Sequence, residues 1–172
     1  MIVLVFLIAV IVLYFVVFYH YLSFLRNQIL ESFAELTGQL EPLFALVPRI
    51  IRFIRTSGYS EAEMMDALED ARDFAKTAQT PAEFGAVYDC INHGLARLRY
   101  IARQNPALHA DEDYLSLDAR LVELDEKVQF AREFYHKKMD RYNRNVELFP
   151  GRMAANIFRF GYWEAFTEDQ EE

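Results

Sequence analysis

Glu133 and His136 stand one helical turn apart in "EFYH", the spacing with which helical bundles present half of a di-iron site. A complete site of that kind takes two Glu-x-x-His pairs and a further Glu from each of two other helices. The chain holds no second pair, so a partner copy would have to supply it. The pattern therefore reads as a solvated glutamate beside a helix-surface histidine. Cys90 and His93 repeat the spacing and are equally short of partners; a small buried thiol beside a partly exposed imidazole is the reading. "ADED", Ala110 to Asp113, clusters three carboxylates but lacks the alternate spacing, turn glycine and closing glutamate of a calcium loop. Asp113 is expected to help cap the helix that follows. No Gly-x-Ser-x-Gly, no glycine-rich phosphate loop and no Cys/His pair with an orienting carboxylate occurs. The expectation is a protein that is not an enzyme, with no catalytic, metal or cofactor residue assigned.

Charge is unevenly placed. The net charge is −8, and no charged side chain precedes Arg26. So acidic a domain is a poor partner for nucleic acid, because neutralising phosphates takes clustered Lys and Arg. The single cysteine excludes an internal disulfide and a multi-cysteine metal site. The opening "MIVLVFLIAVIVLYFVVFYHYLSFL" is long enough to cross a bilayer, which takes roughly 20 apolar residues. Tyr14, Tyr19, His20 and Tyr21 enrich its C-terminal end, as amphipathic rings do at an interface. A cleaved signal would show a basic start, a shorter apolar run and small residues at a cleavage site; none is present. Residues 1–25 are expected to be an uncleaved single-pass anchor. Arg26 follows the span and no basic side chain precedes it, which favours an outside N-terminus and a cytoplasmic domain.

Past the anchor, Ile29, Phe33, Leu36, Leu40, Leu43, Val47, Ile50 and Ile54 recur in alternating steps of four and three residues. That is a coiled-coil-like heptad stripe, with no strand alternation. Nothing interrupts it before about Arg55, so anchor and first helix are expected to be one helix. Gly58 then suits a C-terminal cap, and Ser60 with Glu63 a capping box. A second helix is expected over about Glu61 to Ala78. A third begins with Thr80 as N-cap, Pro81 at the first position and Glu83 at the third. A fourth runs from about Leu115, with Leu117, Leu121, Leu124, Val128, Ala131, Tyr135, Tyr142, Val146 and Phe149 inward, to a stop at Pro150 and Gly151. The expected fold is all-α: a transmembrane helix continuous with the first helix of an antiparallel up-down-up-down four-helix bundle. Pro48 falls inside the heptad stripe, so it is expected to bend the first helix without ending it.

Two stretches carry a family resemblance. In "LTGQLEPLFALVPRIIRFI", Leu46-Val47-Pro48-Arg49-Ile50-Ile51 resembles the Leu-Ile-Pro-Asn-Leu-Val signature of the bacterial LemA family, with Arg49 in the asparagine place. In "FAREFYHKKMDRYNRNVELFP", Ala131, Arg132, Tyr135, Tyr142, Asn143, Val146, Phe149 and Pro150 match the family's second signature, while His136 replaces its first asparagine. The resemblance covers nearly the whole chain. It implies a membrane-anchored helical bundle of undefined biochemical activity, some of whose relatives are encoded beside membrane proteases and one branch of which is associated with magnetosome membranes.

The expected organisation is an anchor (1–25), a bundle (26–150), an aromatic amphipathic tail (151–166) and a disordered acidic tail (167–172). If the fourth helix returns toward the bilayer, it delivers "FPGRMAANIFRFGYWEAF" to the membrane surface. Arg152, Arg159, Phe160, Tyr162 and Trp163 are then the candidate interface residues. The alternative is that these rings fold back on the bundle or meet a neighbouring protomer. The functional expectation is a homo-oligomeric scaffold in the bacterial cytoplasmic membrane, contacting lipid and other copies of itself. The rival is an adaptor that regulates another membrane protein, such as a protease, through the acidic helix "EAEMMDALEDARD".

Overall fold

The computed structural model describes residues 1–56, 58 and 62–166. All regular structure among them is helical. The elements are α1 (Ile2–Thr56), α2 (Ala62–Ala75), α3 (Pro81–Gln104), α4 (Pro106–His109), α5 (Glu112–Glu147) and α6 (Gly151–Phe158). The expected capping box at Ser60 and the acidic segment 167–172 lie outside the described residues.

α1 is one unbroken helix of 55 residues that passes through both Pro42 and Pro48. Each proline removes one backbone donor, so the helix persists there because its neighbours bury their side chains. Leu43, Val47 and Ile50, which flank Pro48, are fully buried, while Pro48 itself is exposed. The heptad stripe reads out as expected at Ile29, Leu36, Leu40, Leu43, Val47, Ile50 and Ile54, all inaccessible to solvent. Burying each such side chain stabilises the fold by about 1.5–3 kcal/mol. The first part of α1 is the reverse: it is apolar on every face and its window of highest mean hydropathy, 3.2, has no buried residue. It is long and apolar enough to cross a membrane.

The chain divides into two compact units. One joins residues 1–34 to 133–164, and the other joins 35–132 to 165–166. In the first, Phe33 meets Tyr135 (ring centroids 5.8 Å apart), Lys138 donates to Gln28 (3.2 Å), and Phe18 lies against Gly151. Advancing along α5 thus retreats along α1.

In the second unit α3 supplies the spine. Val87, Tyr88, Ile91, Leu95, Leu98 and Ala102 are buried on its inner face. The capping box forms as expected, Thr80 Oγ1 accepting from the Glu83 N–H at 3.2 Å and the Glu83 carboxylate from the Thr80 N–H at 3.0 Å. Gly94 admits the side chain of Leu68 from α2; a Cβ there would meet it at 2.7 Å. Tyr88 donates to Asp125 (2.6 Å) and accepts from Gln129 (2.8 Å), and Arg99 pairs with Asp118 (2.8 Å). Phe53 packs edge-on against Tyr114, so this ring belongs to the core although it stands off the main stripe.

Several boundaries differ from expectation. α2 stops at Ala75, where Lys76 and Thr77 close four-residue turns onto Asp73 and Phe74. The stretch "QNPALHADEDY" is not one loop: Asn105 caps α4 through its side chain and Pro106 opens it. Asp111, not Asp113, caps α5, its carboxylate accepting from the Tyr114 N–H at 3.0 Å, so α5 begins before Leu115. Phe149 does not point inward. It lies past the end of α5, beside a cis Phe149–Pro150 bond, and is 79% exposed.

Candidate functional site

The most elaborate arrangement in the first unit is the segment after α5, held on two sides. On one side stand Tyr135, Tyr142 and Asn143, placed on one face of α5 by their helical spacing. Tyr142 donates to the Gly161 carbonyl at 3.0 Å, and the Tyr135 hydroxyl donates to that of Glu164. Asn143 answers both main-chain groups of Trp163: its Nδ2 donates to the carbonyl at 3.0 Å and its Oδ1 accepts from the N–H at 2.8 Å. Four hydrogen bonds thus satisfy a non-helical stretch that has no ladder of its own. Burial pushes both phenols above the ordinary tyrosine value, opposed at Tyr135 by the nearby Trp163 side chain and at Tyr142 by the Arg26 charge. They stay protonated donors across the neutral range. The Trp163 indole nitrogen is itself buried and has no hydrogen-bond partner among the described residues.

On the other side stands the apolar part of α1. Phe158 lies over Tyr19 (5.0 Å between centroids) and Phe15 (6.5 Å), and Phe160 over Tyr19 (5.7 Å). α6 presents Gly151, Ala154 and Ala155 as its buried face. Gly151 is required by close approach: a Cβ would stand 1.9 Å from the Asn145 carbonyl oxygen and 3.0 Å from the Phe18 ring. Arg159, in the left-handed region at φ 57°, ends the helix, and the Phe160 N–H caps the Ala155 carbonyl at 2.9 Å.

Of the residues singled out from sequence, the fold therefore brings together Tyr135, Tyr142, Asn143, Phe160 and Trp163. Arg152, Arg159 and Tyr162 are exposed, and Pro150 leads into α6. Pro48 and Arg49 belong to the other unit, Pro48 exposed and Arg49 half-buried on α1. Sequence reasoning missed the role of Gly151 and the pairing of Phe158 with Tyr19. Phe166, the last ring of the tail, is fully buried in the second unit against Tyr88 (5.9 Å), the fold-back alternative for that ring.

Among the described residues no group of three or more His, Cys, Asp or Glu side chains is arranged to hold a metal. Glu133 faces Lys137 at 3.3 Å. The Cys90 thiol contacts the Ala67 carbonyl at 3.6 Å, and burial raises its pKa, which disfavours the nucleophilic thiolate. Compared with known proteins, residues 32–172 match the family model described as the LemA family. Among curated proteins none matches the chain.

Proposed function

The chain belongs to the LemA family, and from that premise we propose that it is a membrane-anchored, non-enzymatic scaffold that assembles with copies of itself. In this reading α1 spans the bacterial cytoplasmic membrane once, with its N-terminus outside. It then continues as the first helix of an antiparallel up-down-up-down four-helix bundle on the cytoplasmic side. The observation that carries the proposal is the continuity of α1, whose lipid-compatible half runs without a break into a half with a buried heptad stripe.

Self-association is supported by exposed apolar side chains on the outer side of α5. In the second unit Leu115, Val122 and Phe130 are exposed and lie opposite the buried stripe of Leu117, Leu121, Leu124 and Val128. Phe130 is 72% exposed, the most exposed of the three. The test is the mass of the full-length protein in lipid nanodiscs. A multiple of the 20.2 kDa chain is expected, falling to a single chain in a Val122→Glu/Phe130→Glu double variant that keeps its helicity. A single chain in the unaltered protein would end the proposal.

A further inference from the structure

Resting on the reading of α1 as an anchor, we infer that α6 and the turn before it form an in-plane membrane-surface element selective for anionic lipid. Three observations in the first unit support this. The first is placement. Both ends of α6 reach α1 within Phe15 to Tyr19, Gly151 at Phe18 and Phe158 at Phe15 and Tyr19. Those α1 residues cover about 6 Å of rise, whereas α6 from Gly151 to Phe158 covers about 10 Å, so α6 crosses the apolar helix and does not run along it. A helix crossing a spanning helix lies near the plane of the bilayer.

The second is depth. A hydrocarbon core of about 30 Å takes about 20 residues, roughly Ile2 to Tyr21 here. Phe15 to Tyr19 then lie a few ångströms inside the headgroup boundary, the level at which amphipathic helices settle, about 5–10 Å deep. With Gly151, Ala154 and Ala155 against the protein, helical geometry leaves Met153 and Ile157 together on one exposed side and Arg152 and Asn156 on the other. Ile157 is 59% exposed, and Leu148 and Phe149 add exposed apolar surface just before the helix.

The third is charge. Between Arg141 and Phe160 the chain has four arginines against a single glutamate, net +3 in a molecule of net −8. All four guanidinium side chains are on exposed residues. Basic charge gathered beside an apolar patch, in a protein otherwise acidic, matches an anionic leaflet, and each Arg near such a surface adds measurably to binding. Phe160 packs on Tyr19 and the Trp163 main chain is held by Asn143; Met153, Ile157 and Phe149 are the exposed apolar side chains of this element.

The test uses full-length protein with Cys90→Ala, reconstituted into vesicles of phosphatidylcholine alone or with phosphatidylglycerol. Single nitroxide labels sit at Ile157→Cys, Asn156→Cys and, inside the span, Val10→Cys. In the phosphatidylglycerol vesicles the oxygen-to-nickel accessibility ratio at 157 is expected to exceed that at 156 several-fold. Arg152→Glu/Arg159→Glu should abolish that difference there and leave the helical content intact. The ratio at Val10→Cys reports the anchor alone. A lipid-like value at 10 with a water-like value at 157 overturns the inference and spares the anchor, whereas a water-like value at 10 removes both. A 157 label that is immobile and shielded from both quenchers shows protein in place of lipid, and equal immersion in the two vesicle types removes the anionic preference.

Discussion

Asn143 holds Trp163 by its main-chain N–H and C=O together, so Asn143→Ala strands two polar groups at once. Leaving buried partners unsatisfied costs about 1–3 kcal/mol each at most, and less where water can reach. Trp163 is the only tryptophan, so the loss is expected as a red shift of intrinsic fluorescence in the detergent-solubilised protein. Unchanged emission would mean that the tail is held by something other than this pair. Gly151→Ala should act on the same segment from the other side, because the new methyl has to displace a backbone carbonyl. Overpacking of this kind costs about 1–3 kcal/mol, and faster amide exchange across 151–158 is the readout. Tyr88 sets a pH limit. Its pKa rises from the ordinary 10.0 to about 12, chiefly by burial and then by the hydrogen bond to Asp125. The unfolded chain therefore loses this proton first, and stability contributed by the neutral phenol falls between pH 10 and about 12. Tyr88→Phe should flatten that part of the denaturation-midpoint profile.

Among the elements, α3 has the clearest start signal, and Thr80→Ala should cost about 1 kcal/mol by removing its cap. Pro48→Ala should act in the opposite sense. Alanine can adopt whatever curvature α1 has there and restores a backbone donor, so chemical denaturation is expected to show equal or higher stability, by up to about 3 kcal/mol. A loss would mean that the proline ring itself packs usefully. How far these elements were legible follows from what each depends on. The stripe from Ile29 to Ile54 and the cap at Thr80 are local, since periodicity and capping chemistry act within a few residues. Phe149 was misjudged because the heptad was carried past the point where α5 stops. α4 carried a readable Asn-Pro start, hidden inside a stretch dominated by turn residues. The clasp on Trp163 was not legible at all. Tyr142 and Asn143 recur in a motif, but nothing in their spacing says which carbonyls, some 20 residues further on, they will meet.

For the molecule as a whole, the decisive contrast is between an uncharged N-terminal half of α1 and an acidic remainder. A charge at the middle of the span tests whether the anchor governs location. Val10→Lys adds about 2.5–3.5 kcal/mol to the insertion cost of an otherwise strongly apolar segment. The expected result is a reduced fraction of protein retained in carbonate-washed membranes, while Asn156→Lys, on the solvent side of α6, leaves that fraction unchanged. Equal retention of both variants would show that some part of the chain other than this helix carries it to the membrane.

The hydrogen bonds that Tyr135, Tyr142 and Asn143 make to the tail all end on main-chain atoms. A grip on the backbone is blind to spelling. Gly161, Trp163 and Glu164 can each be exchanged for many residues without loosening these bonds, and one substitution stands apart: proline at 163, which has no N–H to offer Asn143. The segment is therefore constrained in path and length far more tightly than in letters, and related chains can vary their tail side chains while keeping the same grip.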